Sequence, residues 1–211
     1  VKNKTTAMRI FAIGRNYVEH IRELNNERPE EPVIFTKPDT ALIRNNQPFY
    51  YPDFSRDIHH EVELVLRIGK NGKNITQEQA LSYIEAIGIG IDFTARDLQQ
   101  KAKEKGLPWD IAKGFDGSAP VSDTFMPLTH FADLNNINFS LNVNGETKQQ
   151  GNTKLMIFSF AYILSYLSRF FTLRQGDLIF TGTPKGVGPV VPGNVLHAFI
   201  EGEKLLEVEV R

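Results

Sequence analysis

Apolar and polar residues alternate clearly in several short segments of the chain. From Asp57 to Ile68, Val62, Leu64, Leu66 and Ile68 share one face, and Glu61, Glu63, Val65 and Arg67 share the other. That period of two predicts a half-buried strand. Arg9–Gly14 and Val33–Phe35 read as shorter strands, the second stopped by Lys37 and Pro38. Ile87, Ile89 and Ile91 alternate with Gly88, Gly90 and Asp92. This predicts a buried strand whose glycine face admits something at close range. Phe139, Leu141 and Val143 precede Asn144–Gly145, a hairpin signal, and Asn71–Gly72 is a second turn signal. Leu178–Phe180 and Leu205–Val210 complete the expected strands.

Helices are expected at four places. Arg15 to Leu24 has helical character, followed by the polar segment Asn25–Glu31 and the breaker Pro32. Thr76 opens a helix with Gln79 in capping-box position, carrying Ala80, Leu81 and Ile84. Thr94 and Asp97 begin a third that stops at Gly106 and Pro108, and Ser159 caps a fourth running to Phe170. Strands outnumber helices and arrive in short pieces between turns. The expected fold is therefore mixed α/β and β-rich, with mixed or antiparallel sheets, not a regular βαβ array. Residues 1–8 read as a disordered tail, native or a cloning remnant with Met8 as the natural start, and 9–211 as one domain.

Charge narrows the function. Lys plus Arg number 24 against 25 Asp plus Glu, a formal net charge of −1. A strongly basic nucleic-acid binder is excluded, and no nucleic-acid partner is expected. With no cysteine, disulfides, thiol catalysis, iron–sulfur clusters and cysteine zinc sites are excluded. The most apolar stretch, Leu155 to Phe171, is interrupted by Ser159, Ser165, Ser168 and Arg169, so no membrane partner is expected. No signal peptide is visible, and a cytoplasmic location is the expectation.

Glu61 and Glu63 stand at i and i+2 on a strand, so both carboxylates point to one side. Like charges so placed repel unless the face is wet or a cation lies between them. Asp92, on the small-residue face of an apolar strand, would need a partner or a metal if buried. Three hard oxygen ligands suit Mg²⁺ or Mn²⁺, although spacing alone does not show that the two strands meet. His20 and Glu23 lie at i and i+3 on one helix face, where the carboxylate can orient the imidazole as a general base. A surface pair is the plain alternative. By alternation His59 shares the glutamate face, as a supporting donor or a strand-edge histidine. Lys37, Arg96, Gln99 and Lys113 are donors in mixed segments, each alone more typical of a surface. TGTPKGVG, at Thr181–Gly188, lacks the phosphate-loop pattern, but its amides and the hydroxyls of Thr181 and Thr183 can hold a carboxylate. Lys185 reads as solvated. Phe158, Tyr162 and Tyr166 have helical spacing and read as core or as part of a subunit interface.

RNYVEH at Arg15–His20, HHEVEL at His59–Leu64, IDFTARDLQ at Ile91–Gln99, KGLPWDIAKGFD at Lys105–Asp116 and FTGTPKGVG at Phe180–Gly188 occur in that order. Together they resemble the fumarylacetoacetate hydrolase family, and most closely its short acylpyruvase and oxaloacetate decarboxylase branch. The resemblance implies a β-roll with short flanking helices, a homodimer, and one divalent metal, Mg²⁺ or Mn²⁺, held by Glu61, Glu63 and Asp92. It implies a catalytic dyad of His20 and Glu23 on a mobile lid, an active-site lysine at Lys113, and substrate contacts from Lys37, Arg96, Gln99 and Thr183. The charged segment Asn25–Glu31 carries no bulky apolar anchor for such a lid.

The implied activity is cleavage of acylpyruvates between C3 and C4, giving pyruvate and a carboxylate. Loss of CO₂ from oxaloacetate leads to the same pyruvate enolate. Enolate chemistry also serves an isomerase or hydratase of 2-hydroxy-diene or 2-oxo-ene carboxylates, the alternative reading. The extra N-terminal domain of the larger family members is absent from this sequence. A small dicarboxylic or acylated 2-oxo acid is therefore the expected substrate. A non-enzymatic binding protein on the same fold is disfavoured by so repulsive a carboxylate cluster.

Overall fold

Hydrogen bonding assembles the alternating segments into two larger sheets and two small ones. A computed structural model describes residues 9–23 and 27–211. The tail expected at residues 1–8 lies outside the described residues, as do Leu24, Asn25 and Asn26 after the first helix. In chain order the elements are β1 (Ile10–Gly14), α1 (Val18–Glu23), β2 (Val33–Lys37), β3 (Leu42–Ile43), β4 (Ile58–His60) and β5 (Val62–Ile68). Next come α2 (Gln77–Ala80), β6 (Ile84–Ile91), β7 (Thr94–Ala95), α3 (Arg96–Lys105), α4 (Asp110–Lys113), β8 (Ala119–Pro120) and β9 (Met126–Pro127). The remainder are β10 (Asn138–Val143), β11 (Glu146–Asn152), α5 (Phe160–Phe170), β12 (Leu178–Phe180), β13 (Gly188–Pro189), β14 (Val195–Ile200) and β15 (Glu203–Glu209).

The six-stranded sheet runs β2-β1-β12-β5-β6-β9, with only β1 and β12 parallel. An antiparallel four-stranded sheet runs β11-β10-β14-β15. Val62, Leu64 and Leu66 of β5 and Ile87, Ile89 and Ile91 of β6 share one core with Leu141, Leu196, Ala198 and Val208 of the second sheet. The other face of β5 is not polar as expected. Val65 joins Ile10, Ala12, Leu178 and Phe180 in a second apolar cluster, so the long strand is covered on both sides. It is also broken at Glu61, which stands between β4 and β5.

Two local expectations are corrected. Ile84 opens β6 instead of extending the helix begun at Thr76, and the Thr76 side chain makes no capping bond. Gly72 pairs with Leu173 across a bridge in place of a hairpin turn. The glycine face of β6 admits a close approach as expected, and the groups that approach are the protein's own rings: a Cβ on Gly90 would sit 2.8 Å from the Phe180 ring, and one on Gly88 2.8 Å from the Phe125 ring. Ser159 likewise caps α5 as expected, its hydroxyl accepting from the Tyr162 N–H at 3.3 Å. Phe160, Ile163, Leu164 and Leu167 form the buried face of α5. Of the stripe read as core or interface, Phe158 belongs to the core and Tyr162 packs against it; the Tyr162 ring stacks with those of Phe158 and Tyr166, and the Tyr166 hydroxyl donates to Glu31 at 3.0 Å.

Candidate active site

The antiparallel register of β5 and β6 brings the acidic residues together. Glu63 faces Gly90 and Val62 faces Ile91, so the next pair outward is Glu61 and Asp92, joined by the Asp92 N–H donating to the Glu61 carbonyl at 2.8 Å. Oxygens of Glu61, Glu63 and Asp92 lie within 4.8 Å of one another, and all three side chains are buried. Such repulsion in a low-dielectric site requires cations.

Lys113, at the end of α4, donates to Glu61 Oε2 at 2.7 Å and to Asp92 Oδ2 at 2.6 Å. Arg96, at the start of α3, reaches Glu61 Oε1 at 2.5 Å and Gln99 Oε1 at 2.7 Å. Burial pushes the Glu61 carboxyl upward, but the Lys113 and Arg96 charges outweigh it and hold it well below the usual carboxylate range. Burial also works against the Lys113 ammonium, and the Asp92 and Glu61 charges reverse the sign and raise it. Glu63 has the poorest compensation. It accepts the Gly182 N–H at 2.6 Å, yet burial and then the charges of Asp92 and Glu61 drive its carboxyl well above the ordinary value. The unfavourable charge at Glu63 is what a divalent cation among the three carboxylates would relieve, so the donor set fits Mg²⁺ or Mn²⁺.

Lys37 lies behind this group. Its buried ammonium is 2.7 Å from Asp92 Oδ1, donates to the Ser118 carbonyl at 3.1 Å and to Ser118 Oγ at 3.0 Å, and also bonds the Lys113 carbonyl. It supports Asp92 and the turn after α4, and is not among the side chains lining the cavity.

A narrow, partly open cavity lies above the carboxylates. His20, Arg96, Gln99, Lys113 and Thr183 line it together with the three acids. The structure thus gathers these eight residues in one place, with Glu23 held through His20 and Lys37 held behind Asp92. His20 Nδ1 is 3.2 Å from Glu23 Oε2, and Glu23 Oε1 accepts the Gly186 N–H at 3.0 Å. Burial raises the Glu23 carboxyl, but those two hydrogen bonds outweigh it and leave it lowered. The short helix is therefore tied to the loop after β12, and Lys185, read as solvated, pairs with Glu19 at 2.9 Å. Histidine 59 does not reach the glutamates. It lies on the central strand of the small sheet β13-β4-β7 and bonds Asp57 at 2.8 Å.

Two supports escaped the sequence reading. Asn16 accepts the Phe158 N–H at 2.7 Å and donates to the Thr181 carbonyl at 2.7 Å, joining the RNYVEH turn to the TGTPKGVG loop. Gln149, buried on β11, accepts from the Val62 N–H at 3.0 Å and donates to Thr183 Oγ1 at 2.9 Å and the Pro184 carbonyl at 3.0 Å. A polar strand gave no periodic signal for it. The loop's geometry depends on Gly182, whose φ is +104° and whose added Cβ would lie 2.6 Å from Asn16 Cβ. Gly182→Ala is expected to cost about 2–5 kcal/mol through left-handed strain and overpacking. A thermal midpoint lowered by several degrees in scanning calorimetry is the result that checks it.

Comparison with known proteins places this site in a family. The sequence profile of the Fumarylacetoacetate (FAA) hydrolase C-terminal family matches residues 9–211. The chain belongs to the fumarylacetoacetate hydrolase family. Among its relatives in that family, the mitochondrial oxaloacetate decarboxylase of Dictyostelium discoideum is 46% identical over 198 residues, 93% of this chain and 90% of that protein. A mitochondrial oxaloacetate tautomerase of Bos taurus is 44% identical over 201 residues, 95% of this chain and 90% of the relative. The crystal structure of fumarylpyruvate hydrolase from Pseudomonas aeruginosa in complex with Mn²⁺ and pyruvate superposes with a TM-score of 0.91 at 38% identity, covering 100% of this chain and 93% of the other. The mixed, β-rich fumarylacetoacetate hydrolase fold expected from the motifs is the fold observed.

Proposed function

We propose that this chain is a divalent-metal-dependent enzyme of small 2-oxo acids that works through a pyruvate enolate. It would hydrolyse acylpyruvates between C3 and C4 and decarboxylate oxaloacetate. The observation that carries the reading is one cavity lined by three mutually repelling buried carboxylates, the lysine bonded to two of them, and a carboxylate-oriented histidine. Relatives named for oxaloacetate and fumarylpyruvate chemistry support it.

Glu61, Glu63 and Asp92 would hold Mg²⁺ or Mn²⁺, which when bound supplies Lewis acidity toward the carboxylate and carbonyl oxygens of a 2-oxo acid. Lys113, kept positive by Asp92 and Glu61, stabilises negative charge developing on the enolate oxygen. His20, oriented by Glu23, takes the proton from the water that attacks the C4 carbonyl. Thr183 and Gln99, both lining the cavity, contact the substrate. In this assignment Arg96 orients Gln99 and Glu61, and Lys37 acts through Asp92.

Tautomerisation of oxaloacetate is a second reading, favoured by the relative of that name. It needs only a base that moves a proton between C3 and the C2 oxygen. Isomerase or hydratase chemistry on unsaturated 2-oxo acids would use the same groups.

The test is pyruvate release from acetylpyruvate and from oxaloacetate after EDTA treatment, with and without added Mg²⁺ or Mn²⁺. Metal-dependent release above a metal-only control is expected. No release from either substrate, with metal demonstrably bound, would overturn the cleavage reading in favour of tautomerase or isomerase chemistry.

Residues 9–211 are proposed to act as one catalytic domain and to pair as a homodimer. A groove along edge strand β2, lined by Ile34, Leu107, Trp109, Tyr166 and Phe170, supports the pairing. Sedimentation equilibrium at twice the chain's mass is the expected result. No helix among the described residues is long and apolar enough to cross a membrane. The proposal retains the cytoplasmic location expected from the sequence, which cell fractionation checks.

A further inference from the structure

Two cations in the cavity have no role in the proposed chemistry. Arg15, just after β1, and Lys103, near the end of α3, both line it. Arg15 takes a φ of 59°, in the left-handed region unusual for a side chain of this size. Its Nε is buried without a hydrogen-bond partner. Neither Arg15 nor Lys103 forms an ion pair with a carboxylate among the described residues. Lys103 instead lies 5.8 Å from the centroid of the Trp109 ring.

Position along α3 gives the two cations their meaning. Arg96, Gln99 and Lys103 stand at i, i+3 and i+7 and so share one helix face. Seven residues of helix rise about 10 Å. Arg96 sits at the carboxylate cluster, so Lys103 marks the outer end of the same wall. Arg15, Arg96 and Lys103 line one cavity, and burial with the nearby charges of Arg96 and Arg15 lowers the Lys103 ammonium. Lys37, Arg96 and Lys113 are engaged by Glu61 and Asp92. A divalent ion would answer the poorly compensated Glu63, which leaves Arg15 and Lys103 as the lining cations without a carboxylate of their own, and a substrate carboxylate is a group that could meet them.

We propose that Arg15 and Lys103 form a second carboxylate subsite, at the outer end of the cavity, that selects dicarboxylic over monocarboxylic 2-oxo acids. The inference rests on the reading of the cavity as a 2-oxo acid site. The α-carboxylate and 2-oxo group belong at the Glu61–Glu63–Asp92 end. The distal carboxylate then meets the guanidinium and ammonium, and supplies the partner that the buried Arg15 Nε lacks.

The test is equilibrium binding to the Mn²⁺-loaded protein, which needs no turnover. Two matched pairs serve as probes: 2-oxoglutarate with 2-oxopentanoate, and 2-oxoadipate with 2-oxohexanoate. In each pair a carboxylate replaces a terminal methyl. At one of the two lengths the dicarboxylate is expected to bind at least about tenfold more tightly. Arg15→Gln and Lys103→Gln should each cut that preference several-fold while holding the monocarboxylate within twofold, and Arg15→Lys should restore most of it. Circular dichroism identifies any variant that fails to fold, and Lys103→Gln, on a helix surface, is the variant least exposed to that risk. Equal binding of both members of each pair, or a preference untouched by both substitutions, would overturn the subsite and leave the proposed function standing. Failure of all four probes to bind would overturn both. A retained preference alongside no turnover of acetylpyruvate or oxaloacetate would sustain the subsite while sinking the proposed reaction.

Discussion

Glu63→Gln is expected to abolish metal-dependent turnover, by at least about a thousandfold, while leaving the fold intact. Lewis-acid stabilisation amounts to several kcal/mol, and each 1.36 kcal/mol is about tenfold in rate. Among the three acids Glu63 is the one whose charge is least compensated, pushed up by burial and by Asp92 and Glu61. An amide of the same shape removes that charge but still offers an oxygen to the Gly182 N–H. The metal-free variant should therefore melt no lower than the wild type, and loss of the buried repulsion favours a higher midpoint. Metal binding should separate the two proteins. A site saturated at a hundredfold excess over Kd adds about 2.7 kcal/mol, or roughly 5–10 °C for a chain of this size. That increment should appear in wild type on adding Mn²⁺ and vanish in the variant. Full activity in Glu63→Gln would remove Glu63 from the metal site.

His20→Ala is the second large effect, and it should split the reactions. Acylpyruvate hydrolysis requires a proton to leave the attacking water, so loss of the base should cost about 10²–10⁴-fold. Decarboxylation of oxaloacetate needs no attacking water and should survive within about tenfold. Tautomerisation, which moves a proton directly, should fall with hydrolysis. Glu23→Gln should give a milder version, because the ring loses its oriented partner and α1 loses the charge that accepts the Gly186 N–H. Equal loss of all three activities would point to collapse of α1 instead of loss of a base. Stopped-flow enol absorbance and coupled pyruvate assays on one preparation distinguish the outcomes.

The acidic residues were legible because a carboxylate pair at i and i+2 on a strand, and an aspartate at the end of an isoleucine–glycine alternation, are costly patterns without a purpose. Lys113, Arg96, Gln99 and Lys37 were not legible as a group from spacing. They come from α4, α3 and β2, and only the family motifs tied them to the acids. Lys37 shows the limit of motif transfer: its place is behind Asp92, where it braces a ligand. Gln149 had no local signal at all, because its worth lies in joining β11 to Val62, Thr183 and Pro184. Lys103 carried a signal that was passed over, standing one helical turn beyond Gln99 on the same face.

The one-dimensional pattern by itself determined the strand-rich character, the caps at Ser159 and Gly106, the hairpin at Asn144–Gly145, and the identity of the charged residues that must be compensated. Those features arise from interactions within a few residues, where period and rotamer preference act directly. Tertiary structure alone decided that β5 is covered on both faces, that Glu61 interrupts it, and that the glycine face of β6 receives Phe180 and Phe125. It also decided which cations meet which acids. Register between distant strands and the low dielectric they enclose are collective properties of the packed chain. A carboxylate's partner, and so its charge state and chemistry, is set by residues far from it in sequence.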